Sequence, residues 1–172
     1  GSEMCIRDRY YLMSPLNFLT VFLPSEWLRE FLMFSVVIKV ACASMFMAIF
    51  LRSLFKKNDF SLVIFGCSFG FCAFFMGYYW NTIWLDTVCI TPLVALGTVK
   101  LFTEGKFRLY IVSLALSLLT NYYIGLFACI FVLLSFIAYN IVKWDGIKKF
   151  ATNLLRTGIY SCLLYTSDAA DE

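Results

Sequence analysis

The chain has 172 residues and a formal net charge of +3, and 62% of its residues are hydrophobic, 19% aromatic and 15% charged. Soluble domains contain roughly a quarter charged residues, so this composition excludes an ordinary soluble globular domain. Apolar stretches recur at the intervals of membrane spans and are separated by short polar or basic breaks. We therefore predict an all-α polytopic membrane protein.

The two terminal segments do not fit this pattern. DNA that encodes Met4 to Arg9 can be the reverse complement of DNA that encodes Cys162 to Thr166. Paired arms of a translated sequencing adapter produce such complementarity, whereas an ordinary polar tail does not explain it. We therefore expect a fragment of a longer reading frame. Its predicted parts are an adapter-derived tail at 1–9, a partial transmembrane domain at 10–161 and a second adapter-derived tail at 162–172.

The transmembrane part predicts about five hydrophobic segments. Residues 10–24 are interrupted by prolines and by Asn17, so we expect an interfacial or re-entrant piece there. Full spans are predicted next at 31–55, 60–78 and 83–101.

The last apolar stretch, at 109–141, is 33 residues long. As one helix it would measure about 50 Å, against a hydrocarbon core of about 30 Å. We expect a broken hairpin with its break at 121–125, since short legs are tolerated where neighbouring helices or a water-filled cavity shield the backbone.

Small residues within the predicted spans are expected to serve packing. Gly66, Gly70 and Gly77 of the second span would allow a neighbouring helix to approach closely. Five cysteines lie inside apolar stretches without CxxC pairing, and the chain has no histidine. We interpret them as packing residues rather than redox or zinc ligands, assign no metal ligand and predict no cofactor, and a metal requirement stays open. They are Cys42, Cys67, Cys72, Cys89 and Cys129.

Basic residues cluster on alternate breaks between the spans. Outside the two tails there are 12 basic and 6 acidic residues, and ten of the basic ones lie at 52–59, 100–108 and 143–156. By the positive-inside rule these breaks face the cytoplasm. The breaks at 79–86 and 120–125 then face outward. The last basic group is predicted to lie on an amphipathic surface helix.

The outward breaks carry the unusual side chains. The first places two indoles, including Trp84, and the Asp86 carboxylate at an outer membrane surface. An aromatic belt with an acid near a helix N-terminus has the same composition, so this alternative stays open. The second break supplies an amide and two phenols, which suit a hydroxylated ligand or, alternatively, satisfy backbone groups freed by a broken helix. Its residues are Asn121, Tyr122 and Tyr123.

Lys39 is a charged residue near the middle of the first span. It lies nine residues after Glu30, hence about 13 Å along the helix, where an ammonium costs on the order of 3 kcal/mol. We expect it to face a polar interior and to pair with an anion, either the Asp86 carboxylate or a bound phosphate. The alternative is an incidental lysine.

Several blocks of the sequence resemble the YfhO family of bacterial membrane proteins, over nearly all of the transmembrane part. They are SPLN from Ser14, the span carrying Lys39, GYYWNTIWLD from Gly77 followed by TPL from Thr91, and TNYYIG from Thr120. The resemblance implies a C-type glycosyltransferase fold with a cavity on the outer face of the bacterial cytoplasmic membrane. It also implies transfer of a sugar from a polyprenyl-phosphate donor to a cell-surface glycopolymer such as lipoteichoic acid.

On this interpretation Lys39 binds the donor phosphate. The residues expected to bind substrate are Trp84, Asp86, Asn121, Tyr122 and Tyr123. In such folds the carboxylate that activates the acceptor normally lies in the first outer loop, which would precede Tyr10. No catalytic base is therefore assigned, and the fragment itself is expected to be inactive.

The expected partners are membrane lipid, a polyprenyl-phosphate-linked sugar and the glycopolymer acceptor, with no nucleic acid. A transporter or polymerase of lipid-linked oligosaccharides would show the same spans, aromatic outer turns and buried lysine. A membrane scaffold without chemistry would instead tolerate replacement of Lys39 and Asp86. Both alternatives remain open from the sequence.

Overall fold

The computed structural model describes Phe22 and residues 24–142 and 147–169. Every regular element in these ranges is helical, so the predicted all-α membrane class is confirmed. Nearly all of the expected re-entrant piece at 10–24, and the whole of the tail at 1–9, lie outside the described residues. The assignment of the two tails to adapter stays a prediction.

A single turn of 3-10 helix leads into the α-helices of the described ranges. The turn is Ser25–Trp27, and the helices are α1 (Leu28–Phe55), α2 (Ser61–Gly70), α3 (Ala73–Gly77), α4 (Thr82–Glu104), α5 (Arg108–Thr120), α6 (Tyr122–Val142) and α7 (Ile147–Ala169). By length and composition α1, α4 and α6 can cross a membrane. The first and third predicted spans therefore correspond to α1 and α4.

The second predicted span, at 60–78, is wrong as a single helix. Phe71 and Cys72 separate α2 from α3, and Cys72 has an extended backbone with a ψ of 160°. Just before this break Gly70 lies directly against α1, where an added Cβ would meet the Ser44 side chain. Both residues at the break are apolar, so hydropathy continues across it and gives no sign that the helix ends.

The predicted break in the last apolar stretch is present but narrower than 121–125. Only Asn121 is non-helical, with φ −160° and ψ 108°, and Tyr122 already belongs to α6. Asn121 restarts the helix, because its side-chain Oδ1 accepts a hydrogen bond from the Ile124 N–H at 3.2 Å. This is the N-cap contact that satisfies a free donor in the first turn of a helix.

Helix α4 forms the centre of the bundle and packs against α1, α5 and α6. In the most apolar stretch of α4, 56% of the residues are buried, whereas the corresponding fractions are 22% for α1 and 28% for α6. One side of α4 packs with α5 and α6 around Val94 and Leu101. The other side packs with α1 and α3 around Ala43 and Phe75.

The two ends of the bundle differ in chemistry. At the basic end, defined by the turns at 56–60 and 105–107, Glu104 lies 2.7 Å from Lys106 and within Coulombic range of Lys56 and Lys100. The aromatic end is defined by the turn at 78–81 and by Asn121. There the Trp84 ring contacts Tyr78, in the turn, and Tyr123, just after Asn121. The alternation of the breaks in the sequence thus corresponds to two opposite ends of the folded chain.

Helix α7 packs at the basic end, and its predicted place on the membrane surface stays a prediction. The Tyr160 ring stacks on Phe107 with centroids 4.8 Å apart, and Ser161 shares a hydrogen bond of 2.8 Å with the Tyr110 hydroxyl. These contacts hold α7 against the first turn of α5. The basic side chains predicted between 143 and 149 lie outside the described side chains.

Candidate functional site

Lys39 lies in the interior of the bundle, paired with two groups of α4. Its Nζ is 2.8 Å from Asp86 Oδ1, and the two side chains are only 2% and 8% exposed. The same ammonium donates a hydrogen bond to the Thr82 carbonyl oxygen at 2.8 Å. Of the two anions expected from the sequence, the Asp86 carboxylate is therefore in contact with Lys39.

Small residues on α1 make room for this ion pair. Ser35, Lys39 and Ala43 follow one another at intervals of four, and each is at most 2% exposed. Residues four apart lie on the same face of a helix, so the buried face of α1 offers a long side chain between two short ones. The backbone of Lys39 lies about 16 Å along the axis from the start of α1, and its side chain reaches across the gap to α4.

Only one of the two carboxylate oxygens of Asp86 has a partner among the described residues. Its Oδ1 contacts Lys39, but Oδ2 is buried without a hydrogen-bond partner among the described residues. An ionised carboxylate has roughly four lone-pair sites for donors, and a buried one without donors is costly. Asp86 Oδ2 is therefore a free acceptor at the site.

Two threonines next to the ion pair join α4 to the end of α5. The hydroxyls of Thr87 and Thr120 lie 3.0 Å apart, and both residues are buried. Thr120 also donates within its own helix to the Leu116 carbonyl at 2.9 Å. The hydrogen bond between the threonines fixes the end of α5, and hence Asn121, beside the first turns of α4.

Asn121 is 1% exposed, and the two polar atoms of its side-chain amide have different surroundings. Its Oδ1 caps α6 through the Ile124 N–H, which is the backbone role that the sequence left open. Its Nδ2, in contrast, is buried without a hydrogen-bond partner among the residues described. The amide therefore leaves a free donor next in sequence to Thr120, whose hydroxyl bonds to the neighbour of Asp86.

A small cavity of about 130 Å³ opens beside these groups. Its lining residues come from α1, α4 and α5: Lys39, Cys42, Phe46, Asp86, Cys89, Ile90 and Thr120. Pockets for small-molecule ligands measure about 300 to 1,000 Å³, so this cavity accommodates a group of the size of a phosphate rather than a complete lipid-linked sugar. Asn121 follows Thr120 in the sequence but does not line the cavity.

The aromatic end forms a row of rings above the ion pair. Trp84 contacts Tyr78 with centroids 5.8 Å apart and stacks on Tyr123 at 6.5 Å. Tyr123 in turn meets Phe127 edge to face at 5.4 Å. Two of the three predicted aromatic site residues are thus brought together, whereas Tyr122 is 60% exposed and is not part of this row.

Three contributors to the site were not predicted from the sequence. The Thr82 carbonyl, Thr87 and Thr120 all contact it or line it. Thr120 lies next to the predicted Asn121, so proximity in sequence was a usable signal for it. A carbonyl group carries no sequence signal, and a threonine in a helix ordinarily bonds to its own backbone.

A family model described as "Bacterial membrane protein YfhO" matches residues 1–170 of the chain. The chain belongs to the YfhO family. No curated protein and no solved structure matches it. Family membership establishes a membrane protein, in agreement with the three apolar helices long enough to cross a bilayer.

The candidate site of this YfhO-family chain consists of charged groups and hydrogen-bonding groups. In the described part of the chain, no group of three or more histidine, cysteine or acidic side chains is arranged to hold a metal ion. What the site does present is an ammonium, a carboxylate oxygen and an amide nitrogen that are all removed from solvent. Such groups interact strongly with a polar ligand because the surroundings screen them little.

Proposed function

We propose that this chain is part of a membrane glycosyltransferase that transfers a sugar from a polyprenyl-phosphate donor to a cell-surface glycopolymer such as lipoteichoic acid. The observation that carries the proposal is the buried Lys39 ammonium beside the cavity. A lysine ammonium has three N–H donors, and two of them are directed to Asp86 and the Thr82 carbonyl. One N–H remains for a donor phosphate.

The proposed role of Lys39 follows from the charge that moves during transfer. The bond between the sugar C1 and the phosphate oxygen breaks, and its electron pair leaves on the phosphate. The acceptor hydroxyl oxygen forms the new bond to C1 and gives its proton to a base, for which no residue is assigned. Negative charge on the phosphate therefore increases in the transition state, and an ammonium in a region of low dielectric stabilises that state more than the ground state.

The remaining groups would orient the sugar. The free Asp86 Oδ2 accepts and the free Asn121 Nδ2 donates hydrogen bonds, which suits hydroxyls of a sugar or acceptor. The cavity beside Lys39 has room for the phosphate alone, so the sugar would extend toward Trp84 and Tyr123. Stacked rings offer an apolar face for a sugar ring or a prenyl chain.

We also propose the orientation of the protein in the bacterial cytoplasmic membrane. Arg52, Lys56 and Lys57 lie at the same end as Lys106 and Arg108, and basic turns favour the cytoplasmic side. The aromatic end, with the candidate site about one helix turn below it, would then face outward. A donor sugar carried on the outer leaflet would reach Lys39 from that side.

The test is sugar transfer by membranes that contain a full-length YfhO-family protein with these residues. Lys39→Met should lower transfer by about a hundredfold to a thousandfold at matched protein level, as expected for loss of one electrostatic group at a transition state. Lys57→Met, which removes a lysine at the opposite end, should transfer at the normal rate. Normal transfer by Lys39→Met would refute the role of Lys39.

One observation favours a second candidate, a membrane scaffold without chemistry. Lys39 already has two partners inside the protein, which is what a purely structural ion pair requires. The double variant Lys39→Met with Asp86→Asn distinguishes the two, because it removes both charges and leaves no unpaired one. A scaffold would keep its cellular function in this variant, whereas a transferase would stay inactive.

A further inference from the structure

We propose that the basic end carries a binding site for the headgroup of an anionic phospholipid. The site is a pocket of about 450 Å³ beside the turn that joins α4 to α5. Its lining residues are Lys100, Gly105, Lys106, Phe107, Arg108 and Leu109. It lies at the end of the bundle opposite the Lys39 site, so it is independent of the proposed transfer reaction.

The pocket carries more positive charge than the protein neutralises. Glu104 forms an ion pair with Lys106 at 2.7 Å. For Lys100, Arg108 and Arg156, the described residues supply no carboxylate within 4 Å. The excess of cations around one turn matches the charge of a phosphodiester group, and basic pockets between membrane helices bind such headgroups.

Helix α7 brings Arg156, from a distant part of the sequence, next to the turn that lines this pocket. Its guanidinium lies directly over Gly105, since a Cβ added at that glycine would be 2.9 Å from Nη1. Gly105 has a φ of 70°, a left-handed conformation that glycine adopts readily. The absence of a side chain at this turn thus allows an arginine to lie against a residue that lines the pocket.

The start of α5 adds a second attraction for an anion. The N-cap residue Phe107 forms no side-chain cap, and α5 continues from there for 13 residues. Free N–H groups and the helix dipole favour a negative group at such an N-terminus. Together with Lys100 and Arg108 they give the pocket an anion preference from both side chains and backbone.

An apolar stripe on α5 identifies the ligand as a lipid rather than free phosphate. Leu109 lines the pocket, and Val112, Leu116 and Leu119 follow it at helical spacing with exposures of 56%, 40% and 47%. The stripe extends about 15 Å along the helix, which is half the thickness of the hydrocarbon core. A headgroup in the pocket would therefore place its acyl chains along the stripe.

Native mass spectrometry of the whole chain in neutral detergent tests the proposal. Phosphatidylglycerol and phosphatidylcholine with identical acyl chains are titrated separately, and the anionic lipid should bind at least about tenfold more tightly. The double variant Lys100→Gln with Arg108→Gln, which removes two lining charges, should weaken phosphatidylglycerol binding by about thirtyfold, since each basic side chain near a lipid headgroup contributes about fivefold. Phosphatidylcholine binding should stay unchanged.

The matched control removes two charges from the neighbouring basic turn. Arg52→Gln with Lys57→Gln should weaken phosphatidylglycerol binding less than about threefold, because neither residue lines the pocket. Equal losses in the two double variants, equal binding of the two lipids, or displacement of the lipid by millimolar inorganic phosphate would overturn the proposal. Circular dichroism verifies folding, and Arg108→Gln with Arg156→Gln replaces the first variant if it does not fold.

Discussion

Trp84, in the first turn of α4, stacks on Tyr123, in the first turn of α6, with ring centroids 6.5 Å apart and an interplanar angle of 29°. The two helices begin 40 residues apart in sequence, so this contact places both starts at one end of the bundle. The hydrogen bond between Thr87 of α4 and Thr120, the last residue of α5 before Asn121 and α6, holds the same two chain segments together. The aromatic end is thus a single surface built from two separate breaks.

This arrangement predicts a pattern of chemical labelling. In a chain whose seven native cysteines are replaced by serine or alanine, Tyr79→Cys and Tyr122→Cys should react with an impermeant maleimide from outside intact cells. Lys106→Cys should react only after the membrane is opened, because it lies at the basic end. All three side chains are exposed in the protein, so access is decided by the membrane. Labelling of positions 79 and 106 from one side would contradict the topology.

The buried ion pair predicts a large effect on stability. Lys39→Met should lower the free energy of unfolding by about 3 to 5 kcal/mol, because it leaves the Asp86 carboxylate buried without a counter-charge. Adding Asp86→Asn should recover more than half of the loss, because no unpaired charge then remains. Denaturant unfolding in detergent micelles measures both changes.

The control for this pair is Lys57→Met at the basic end. Lys57 is exposed, so its replacement should change the free energy of unfolding by at most about 0.5 kcal/mol. A Lys39→Met protein as stable as this control would show that the contact with Asp86 contributes nothing to folding.

The sequence predicted the ion pair better than it predicted the helices around it. A charge in the middle of an apolar span must have a partner, and Asp86 was one of the two anions considered for Lys39. Hydropathy, in contrast, averages over many residues. It therefore missed the break at Phe71 and Cys72 and overestimated the length of the break at Asn121.

Contacts between helices were the least predictable part. Gly66 and Gly70 do allow close approach to α1, since an added Cβ would meet Ser44, whereas Gly77 has nothing within 4 Å. The three glycines look alike in the sequence, because which side of a helix meets a neighbour depends on packing. The same holds for Tyr122, which shares its motif with Tyr123 but points away from the aromatic row.

The docking of α7 predicts a difference between two tyrosines. Tyr110→Phe removes a hydrogen bond of 2.8 Å to Ser161 and should destabilise the attachment of α7 by about 1 kcal/mol. Tyr139→Phe removes a hydrogen bond of 3.4 Å from its hydroxyl to the Phe102 carbonyl, which joins α6 to α4, and should affect α7 less. Limited proteolysis measures this difference as the rate of cleavage within α7. Faster cleavage in Tyr139→Phe than in Tyr110→Phe would contradict the assigned contact.

Helices α4 and α5 approach each other closely at Gly97. A Cβ added there would lie 2.7 Å from the Cα and 2.8 Å from the backbone nitrogen of Tyr110. These are backbone atoms, which cannot rotate away as the end of a side chain can. Gly97→Ala must therefore push the two helices apart, at the point where Tyr110 also holds α7.

We expect Gly97→Ala to lower the free energy of unfolding by about 1 to 3 kcal/mol, the usual cost of overpacking. Gly77→Ala is the matched control, because the same methyl group meets nothing within 4 Å there. It should be neutral or slightly stabilising, since alanine favours helix more than glycine by about 1 kcal/mol. Thermal unfolding of both variants in the same detergent compares them. Equal stability of the two variants would show that α4 and α5 are not in contact at Gly97 and Tyr110.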